Sequence, residues 1–409
     1  MRSFLKGFES ARVLSKNVNT QLFQGSFTPA SGTNIDIKRA HDYKSISTAA
    51  GDISSSTKSS IISGKATATT QNYITVAADF NSVDEALKMD QLDQILAPMA
   101  TRIAVDLERS FASYMHSRAG LYAGTYGTAA STWDHVANWS AMLEAHGVPM
   151  DKPWCAAVNP FTKTSLASNQ RSLGAGGVAG GLVKSAHERA ILSEDFANLK
   201  VMSCTTLPSV TSGAGADRAG TIKAAGIDVT YATAKDTMTQ TIVIEAVTAA
   251  QPIKAGEIVE VTGKYRTNLS THDAISPVVK WSGVVTADAT ASGGEVTVTV
   301  SGPAIYEADG AYNSTSAAVA AGDVITILGD ASTTYSPNFF WHPDAFAIAS
   351  VKLPKLYSTD TVGTTADGLS IRVSKYADGD KNQQSVRFDL LPAFGCLNPY
   401  YAGQGWGSA

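Results

Sequence analysis

Charge is scarce in this chain. Only 17% of its 409 residues are Asp, Glu, Lys or Arg, against roughly 25% in an ordinary soluble protein. A lone subunit so lightly charged is poorly protected against association, which points to a surface that neighbours cover. Cysteine is nearly absent too. Cys155, Cys204 and Cys396 are odd in number and widely spaced, which excludes a disulfide framework and a cysteine-built zinc site and fits a reducing compartment. Basic residues are in slight deficit, 32 against 36 acidic, for a net charge of -4. That excludes a protein whose main task is to grip nucleic acid, although residues 1 to 79 carry nine Lys or Arg against five Asp or Glu. No apolar run is long enough to span a bilayer, and the opening MRSFLKGFESARVL has no continuous apolar core of the kind an export signal needs. The expected setting is the cytoplasm.

Reactive groupings are missing as well. The seven histidines are scattered, none with a second histidine or a cysteine at ligand spacing, so no metal is expected. His135 and His146 lie on one predicted helix but about three turns apart, too far to share an ion. No Gly-x-Ser-x-Gly elbow is present. Asp84, Glu85, Asp90 and Asp93 cluster in the opening turns of a predicted helix, where the dipole favours negative charge. YADGD, 376–380, stops after two carboxylates and reads as a turn, not a calcium loop. GAGGVAGG, Gly174 to Gly181, comes nearest to a phosphate cradle. Its lysine, Lys184, stands three residues late, however, and the preceding TKTSLASNQRSL is no apolar strand. A mobile loop is the reading. No catalytic residue and no cofactor is expected.

What the chain does contain is a legible order of elements. Phe4, Leu5, Phe8 and Val13 fall near helical spacing between Lys6, Glu9 and Arg12, a short amphipathic helix. From Gly25 to Lys65 the text turns polar, with Ile35, Ile37, Tyr43 and Ile46 scattered through it, as in an extended arm that leans on something else. Asn72 to Phe80 reads as a strand. Ser82 and Glu85 form a capping box, after which Leu92, Ile95, Leu96, Met99, Ile103, Leu107, Phe111 and Met115 recur at spacings of three and four along one apolar face. Pro98 is expected to split this face into a short helix and a long one reaching about Arg118, with Arg102 and Asp106 paired on the solvent side. A second helix is expected from Trp133 to Ala145, capped by Ser131 or Thr132 and closed by Gly147 and Pro149. PWCAAVNPF is a strand that ends on Asn159 as a cap and Pro160 in the next first turn.

TSGAGADRAG, 211–220, marks a boundary. Beyond it TIVIEAV, GEIVEVTG, VVKWSGVVTA, GEVTVTV and GDVITILG read as short strands of an all-β barrel or sandwich of about 110 residues. Ala255 to Val259 and Ala321 to Ile325 nearly repeat, each a turn followed by a β-branched run. The first style returns in NFFWHPDAFAIASVKLP and in two long strands flanking ADGDKN. The class is mixed α+β with a β insertion.

In this order, ITVAADFNSVDEALKMDQLDQI, VNPFTKTSLA, EDFANLKVMSCTTLPSVTSG, IKAGEIVEVTG and NFFWHPDAFAIASVKLP resemble the major coat proteins of tailed phages with the Hong Kong 97 capsid fold. The likeness spans nearly the whole chain and is greatest to the Salmonella short-tailed phage type (phage P twenty-two), whose coat carries an inserted β-barrel. It implies an N-terminal arm at 1–24, an extended loop and peripheral strand at 25–80, and a spine helix with the first part of the peripheral and axial domains at 81–220. The inserted barrel would then occupy 221–333, and 334–409 would complete the axial and peripheral domains. The resemblance implies a major capsid protein, not an enzyme, that assembles in the host cytoplasm as hexamers and pentamers into an icosahedral virion shell. Its implied partners are copies of itself, a scaffolding protein, a portal protein and non-specifically packaged double-stranded DNA, with no membrane.

Residues 41–65 would lie over a neighbouring subunit, and the glycine-rich loop would let one chain fit non-equivalent positions. Lys235 and Asp236, at the tip of a short first insertion hairpin, are candidate contacts between capsomers; Phe4, Leu5 and Phe8 are candidates in the opening helix. The alternative from another class is a secreted or surface-exposed β-rich adhesin, for which an export signal and tandem repeats are not visible.

Overall fold

A computed structural model of the chain describes residues 2–20, 32–81, 92–173, 192, 195–223, 229–248, 250–275, 279–308 and 310–408. They fall into two units, one of Met1–Ile37, Thr67–Tyr114 and Phe346–Leu397, the other of Lys38–Ala66, Met115–Ala345 and Asn398–Ala409. The capping box at Ser82 and Glu85, the acidic cluster around it and the glycine-rich loop from Gly174 lie outside the described residues, as does the Asp93 side chain.

In the first unit the opening amphipathic pattern forms α1 (Arg2–Ala11). The apolar periodicity further on forms α2 (Leu92–His116), which runs unbroken through Pro98. The expected split does not occur. Pro98 is exposed, so its ring and the missing N–H face solvent, while Met99, Ile103, Leu107 and Phe111 behind it stay buried on one face. Keeping that face in register outweighs the roughly 3 kcal/mol a helical proline costs. Arg102 and Asp106 pair at 3.1 Å as expected.

Phe111 meets Phe394 at 5.1 Å and Phe346 at 6.2 Å, edge to face. Those two phenylalanines belong to a four-stranded sheet ordered Asn34–Lys38, Lys65–Thr70, Pro392–Cys396, Phe346–Ser350. A second four-stranded sheet is ordered Thr361–Thr364, Ser370–Asp378, Gln383–Leu390, Ile74–Asn81. Its centre is the long hairpin, closed from Asp378 opposite Gln383, with the Ile74 strand paired along its whole length. Asp380 donates its N–H to Asp378 Oδ1 at 3.1 Å, so this acidic pair shapes the turn.

The second unit holds a five-stranded sheet, ordered Leu121–Ala123, Ala402–Gly405, Asn338–Trp341, Cys155–Val158, Lys200–Ser203. Helices α3 (Trp133–Ala145) and α4 (Pro160–Leu173) cover it. Thr132 is the N-cap of α3, and the Asn159 side chain caps α4 by accepting the Thr162 N–H at 2.8 Å. Val136, Trp139 and Leu143 of α3 and Leu166 of α4 bury into one core with Phe340 of the sheet.

The same unit contains a closed six-stranded barrel of Ala219–Ile222, Thr239–Glu245, Ile258–Tyr265, Lys280–Val285, Glu295–Ser301 and Val324–Ile327. It begins at Ala219, two residues before the expected boundary, and between its first two strands stands a single helical turn, α5 (Tyr231–Ala234). The two near-repeats are equivalent in structure. Lys254 N–H bonds Glu257 Oε2 at 2.6 Å and Ala320 N–H bonds Asp323 Oδ2 at 2.7 Å, around glycines of φ +88° and +84°. The strands that follow pair with each other, Val259 opposite Ile327. The barrel is filled by alternating residues such as Ile242, Ile244, Val296 and Val298, with Trp281 buried among them.

Candidate functional site

The sequence nominates Phe4, Leu5, Phe8, Lys235 and Asp236 for contact with other subunits. The Phe4 side chain lies outside the described residues, and Leu5 is partly exposed. Phe8 is wholly buried within its own chain, with the Arg12 guanidinium 5.4 Å over its ring. It belongs to the core of its own unit and has no face left for another subunit.

The turn after α1 is gripped by Glu108 of α2, a buried carboxylate that accepts the N–H of Leu14 at 2.6 Å, that of Ser15 at 2.9 Å and the Ser15 hydroxyl. Arg12 donates to the Ser15 carbonyl and to Asp367, each at 3.0 Å. Burial lowers its pKa, against the raising charge of Asp367 and then Glu108. The signal for this clamp was an acid at apolar spacing, four residues after Ala104 and three before Phe111.

Lys235 and Asp236 do not sit at a hairpin tip. They follow α5, whose single turn forms because the N–H groups of Ala234 and Lys235 return to Thr230 and Tyr231, with Tyr231 and Ala234 facing inward. Arg39 Nε donates to the carbonyls of Lys235 at 2.9 Å and Lys65 at 3.1 Å, and Asp236 Oδ1 accepts the Lys65 N–H at 3.2 Å. Tyr231 stacks flat on Tyr312 with ring centres 3.7 Å apart, and the Tyr312 hydroxyl accepts the Asp42 N–H at 3.0 Å. Thus the two nominated residues hold both ends of this chain's own polar arm. A Cβ at Gly64 would lie 2.7 Å from the Lys235 carbonyl, so the close approach needs glycine. Between its anchored ends the arm leaves Tyr43, Ile46, Ile53 and Ile61 exposed, Ile61 by 75%.

The histidines are less scattered in space than in sequence. Asp151, His342 and Asp344 bring three potential ligand atoms within 4.8 Å of one another. Their hydrogen bonds oppose an ion there. His342 Nδ1 accepts the Asp344 N–H at 3.1 Å, which leaves the ring proton on Nε2, directed at Asp151 Oδ1 2.9 Å away. Lys152 holds Asp344 at 2.6 Å. A cation would need the Nε2 lone pair and the Asp344 carboxylate, and both are engaged. His135 is a capping group, its Nδ1 accepting the Ser131 N–H at 3.0 Å. His116 and His146 are buried, not solvated, and burial lowers their pKa values to about 4 and about 3.

The barrel is seated on the rest of its unit through buried polar contacts. Arg266, fully buried, donates to the Gly120 carbonyl at 2.6 Å and to the carbonyl and hydroxyl of Ser282, and lies 5.7 Å over the Tyr400 ring. Burial lowers its pKa to about 10. Tyr122 donates to Glu260 at 2.6 Å, Gln404 to the Gly256 carbonyl at 3.0 Å, and Tyr400 to the Pro303 carbonyl at 2.6 Å. Gly256 packs against His116 so closely that a Cβ would stand 1.7 Å from the imidazole. Sequence periodicity carries no trace of this seam, because its partners lie 97 to 148 residues apart. Among the described residues these geometries join, cap and seat elements.

A model of the family described as P22 coat protein, gene protein 5, matches residues 1–407. The chain belongs to that family. A major capsid protein of Acyrthosiphon pisum secondary endosymbiont phage 1 is 36% identical over 416 residues, covering 100% of this chain and 97% of that relative. Among solved structures, one from Mycobacterium phage Che8 aligns with a TM-score of 0.47 at 11% identity, over 96% of this chain and 90% of its own. The capsid structure of Cyanophage P-SCSP1u aligns at 0.43 and 10%, over 93% and 85%. The expected mixed α+β class with a β-barrel in it stands. As a member of the P22 coat protein family the chain is a phage major capsid protein, whose copies assemble into the icosahedral shell of the virion. The adhesin alternative finds no support.

Proposed function

We propose that this subunit does its work by enclosing and not by catalysis: it assembles in the host cytoplasm, as hexamers and pentamers, around a scaffolding protein and with a portal at one vertex. The finished shell holds packaged double-stranded DNA without sequence-specific contacts. The observation that supports this best is the arm between Arg39 and Lys65. Both of its ends are hydrogen-bonded to the barrel segment while four large apolar side chains along it stay exposed. An anchored, extended segment that offers isoleucines to solvent is built to lie on another copy, and many such weak contacts per subunit multiply into a stable particle. A net charge of -4 suits a container that must release its polyanion.

The division into arm (1–24), loop (25–80), spine and first part (81–220), barrel (221–333) and closing part (334–409) belongs to this proposal. So do Lys235 and Asp236 as capsomer contacts, now with their backbone and carboxylate already engaged by the arm. Negative-stain microscopy of the full-length protein, expressed with and without its scaffold, tests it. Closed shells of uniform size with scaffold, and irregular or open particles without, are the expected result. Particles of one form in both conditions would remove the scaffold from the account.

A further inference from the structure

Among the described residues, sheet edges are short, charged or covered, with one exception. In the first four-stranded sheet the Asn34–Lys38 edge carries Asp36 and Lys38. Its opposite edge, Phe346–Ser350, is covered by Asn19, which donates its N–H to the Phe346 carbonyl at 3.1 Å and accepts that of Ile348 at 3.0 Å. The edge strands of the five-stranded sheet are three and four residues long, and the barrel is closed. In the second four-stranded sheet the Thr361–Thr364 edge is four residues long, but the Ile74–Asn81 edge runs for eight. This strand pairs with Gln383–Leu390 residue for residue, without a bulge. It holds no Pro, Lys or Arg, and its one charge, Asp79, accepts the Ser385 hydroxyl of the neighbouring strand. Its open side takes no backbone hydrogen bond among the described residues. A long, regular edge without the usual guards is a template for another strand.

An icosahedral shell has two-fold axes, and an antiparallel pair of identical strands carries such an axis perpendicular to its sheet. Resting on the capsid reading, we infer that Ile74–Asn81 pairs with the same strand of a second copy across a two-fold, joining two four-stranded sheets into one. Outward-pointing N–H and C=O groups alternate along a strand, so they meet only when the axis passes through a residue and not between two. Axes through Ala77 or through Ala78 overlap all but one of the strand's residues. Arg387 decides between them. It stands opposite Ala77 on the neighbouring strand, yet its guanidinium is bonded to Asp389 and lies 3.5 Å from the Thr75 hydroxyl oxygen. An axis through Ala77 sets the partner subunit's Asp79 opposite Thr75, beside that cation, and the partner's Phe80 opposite Ile74. An axis through Asp79 would set two carboxylates face to face, and one through Ala78 leaves Asp79 opposite an alanine.

The test uses the full-length chain expressed with its scaffold, with thermal melting of each purified subunit to check its fold. Ala77 is exposed, so substitutions there leave the single subunit folded. A residue on the axis meets its own copy with Cα atoms about 4.5–5.5 Å apart, a span that a disulfide closes. Oxidised with diamide, Ala77→Cys particles give at least about tenfold more linked dimer than unassembled subunits of the same variant. Thr75→Cys and Asp79→Cys link only when co-expressed, which fixes the register. Ala77→Lys and Ala77→Glu each set like charges together and lower the yield of sedimenting particles by about tenfold. Expressed together, the two restore it, since lysine then meets glutamate. Ala77→Cys particles that form at wild-type yield and link no more than wild type overturn the inference and leave the capsid reading intact. Ala77→Lys that melts like wild type and assembles alone at wild-type yield overturns it as well. Wild-type protein that forms no particle under any condition takes down the capsid reading and this pairing with it.

Discussion

Replacing Glu108 by alanine should free the N-terminal segment while leaving the rest of the subunit folded. The carboxylate is 1% exposed and serves the N–H groups of Leu14 and Ser15 and the Ser15 hydroxyl. Without it, two backbone donors and a hydroxyl are buried with nothing to bond, and a buried hydrogen bond to a charged group is worth roughly 1.5–3 kcal/mol. Arg12 also loses one of the negative charges that hold it ionised in a buried place. Because the segment can escape to water, part of that penalty is relieved by local unfolding, so the loss in global stability is set at about 3–5 kcal/mol and not higher. Glu108→Gln keeps one acceptor oxygen but turns an amide N–H2 towards a backbone N–H, and should lose about half as much. Urea unfolding of the unassembled subunit measures both. Limited trypsin digestion then reads the local effect, since Lys6, Arg12 and Lys16 should be cut in the alanine variant at concentrations that spare the wild type. Unchanged cutting at these sites, with a stability loss under about 1 kcal/mol, would refute the view that this carboxylate holds the segment down.

Acidification should weaken the subunit before most carboxylates titrate. His116 and His146 stay neutral in the folded state, with pKa values of about 4 and about 3, whereas the unfolded chain takes up protons near 6.5. Stability from this source is complete above pH 6.5 and falls as pH drops towards 4, by about 2 kcal/mol per histidine between 6.5 and 5. Urea midpoints at the two pH values should show the drop, and His146→Asn should roughly halve its slope; a flat profile counts against the burial argument. The equivalent glycines of the two barrel repeats offer a matched comparison. Gly322→Ala meets only the backbone strain of φ +84°, with nothing within 4 Å, about 1–2 kcal/mol. Gly256→Ala adds a collision with His116 at 1.7 Å and should cost about 1–3 kcal/mol more. Equal thermal shifts for the two variants would mean that the His116 contact is not tight.

The sequence was most informative where one face of an element meets one core. The α2 stripe from Met99 to Phe111, the Asn159 and Thr132 caps, the long hairpin and the strands of the barrel are all periodic or capped by side chains close in the chain. Pro98 was misread because local rules count its missing hydrogen bond but not the burial on either side of it. The single turn at Tyr231 was taken for a hairpin, since a four-residue helix leaves too short a pattern and is fixed here by Tyr312, 81 residues away. The same distance problem hid the role of Lys235 and Asp236, which are engaged by Arg39 and Lys65. Phe8 had the spacing of a partner-facing residue, yet only the fold shows that its own chain covers it. Arg266 gave no periodic signal of its own, and Glu108 only that of an acid at apolar spacing, because the groups that each one bonds lie elsewhere in the chain.

Small-angle X-ray scattering of the purified protein over a concentration series gives the most direct check on a subunit whose purpose is to surround a volume. With scaffold present, rising concentration should convert the curve of a single chain into one with the regularly spaced minima of a hollow sphere. A curve that remains that of an isolated chain up to the highest concentration, with or without scaffold, contradicts the account.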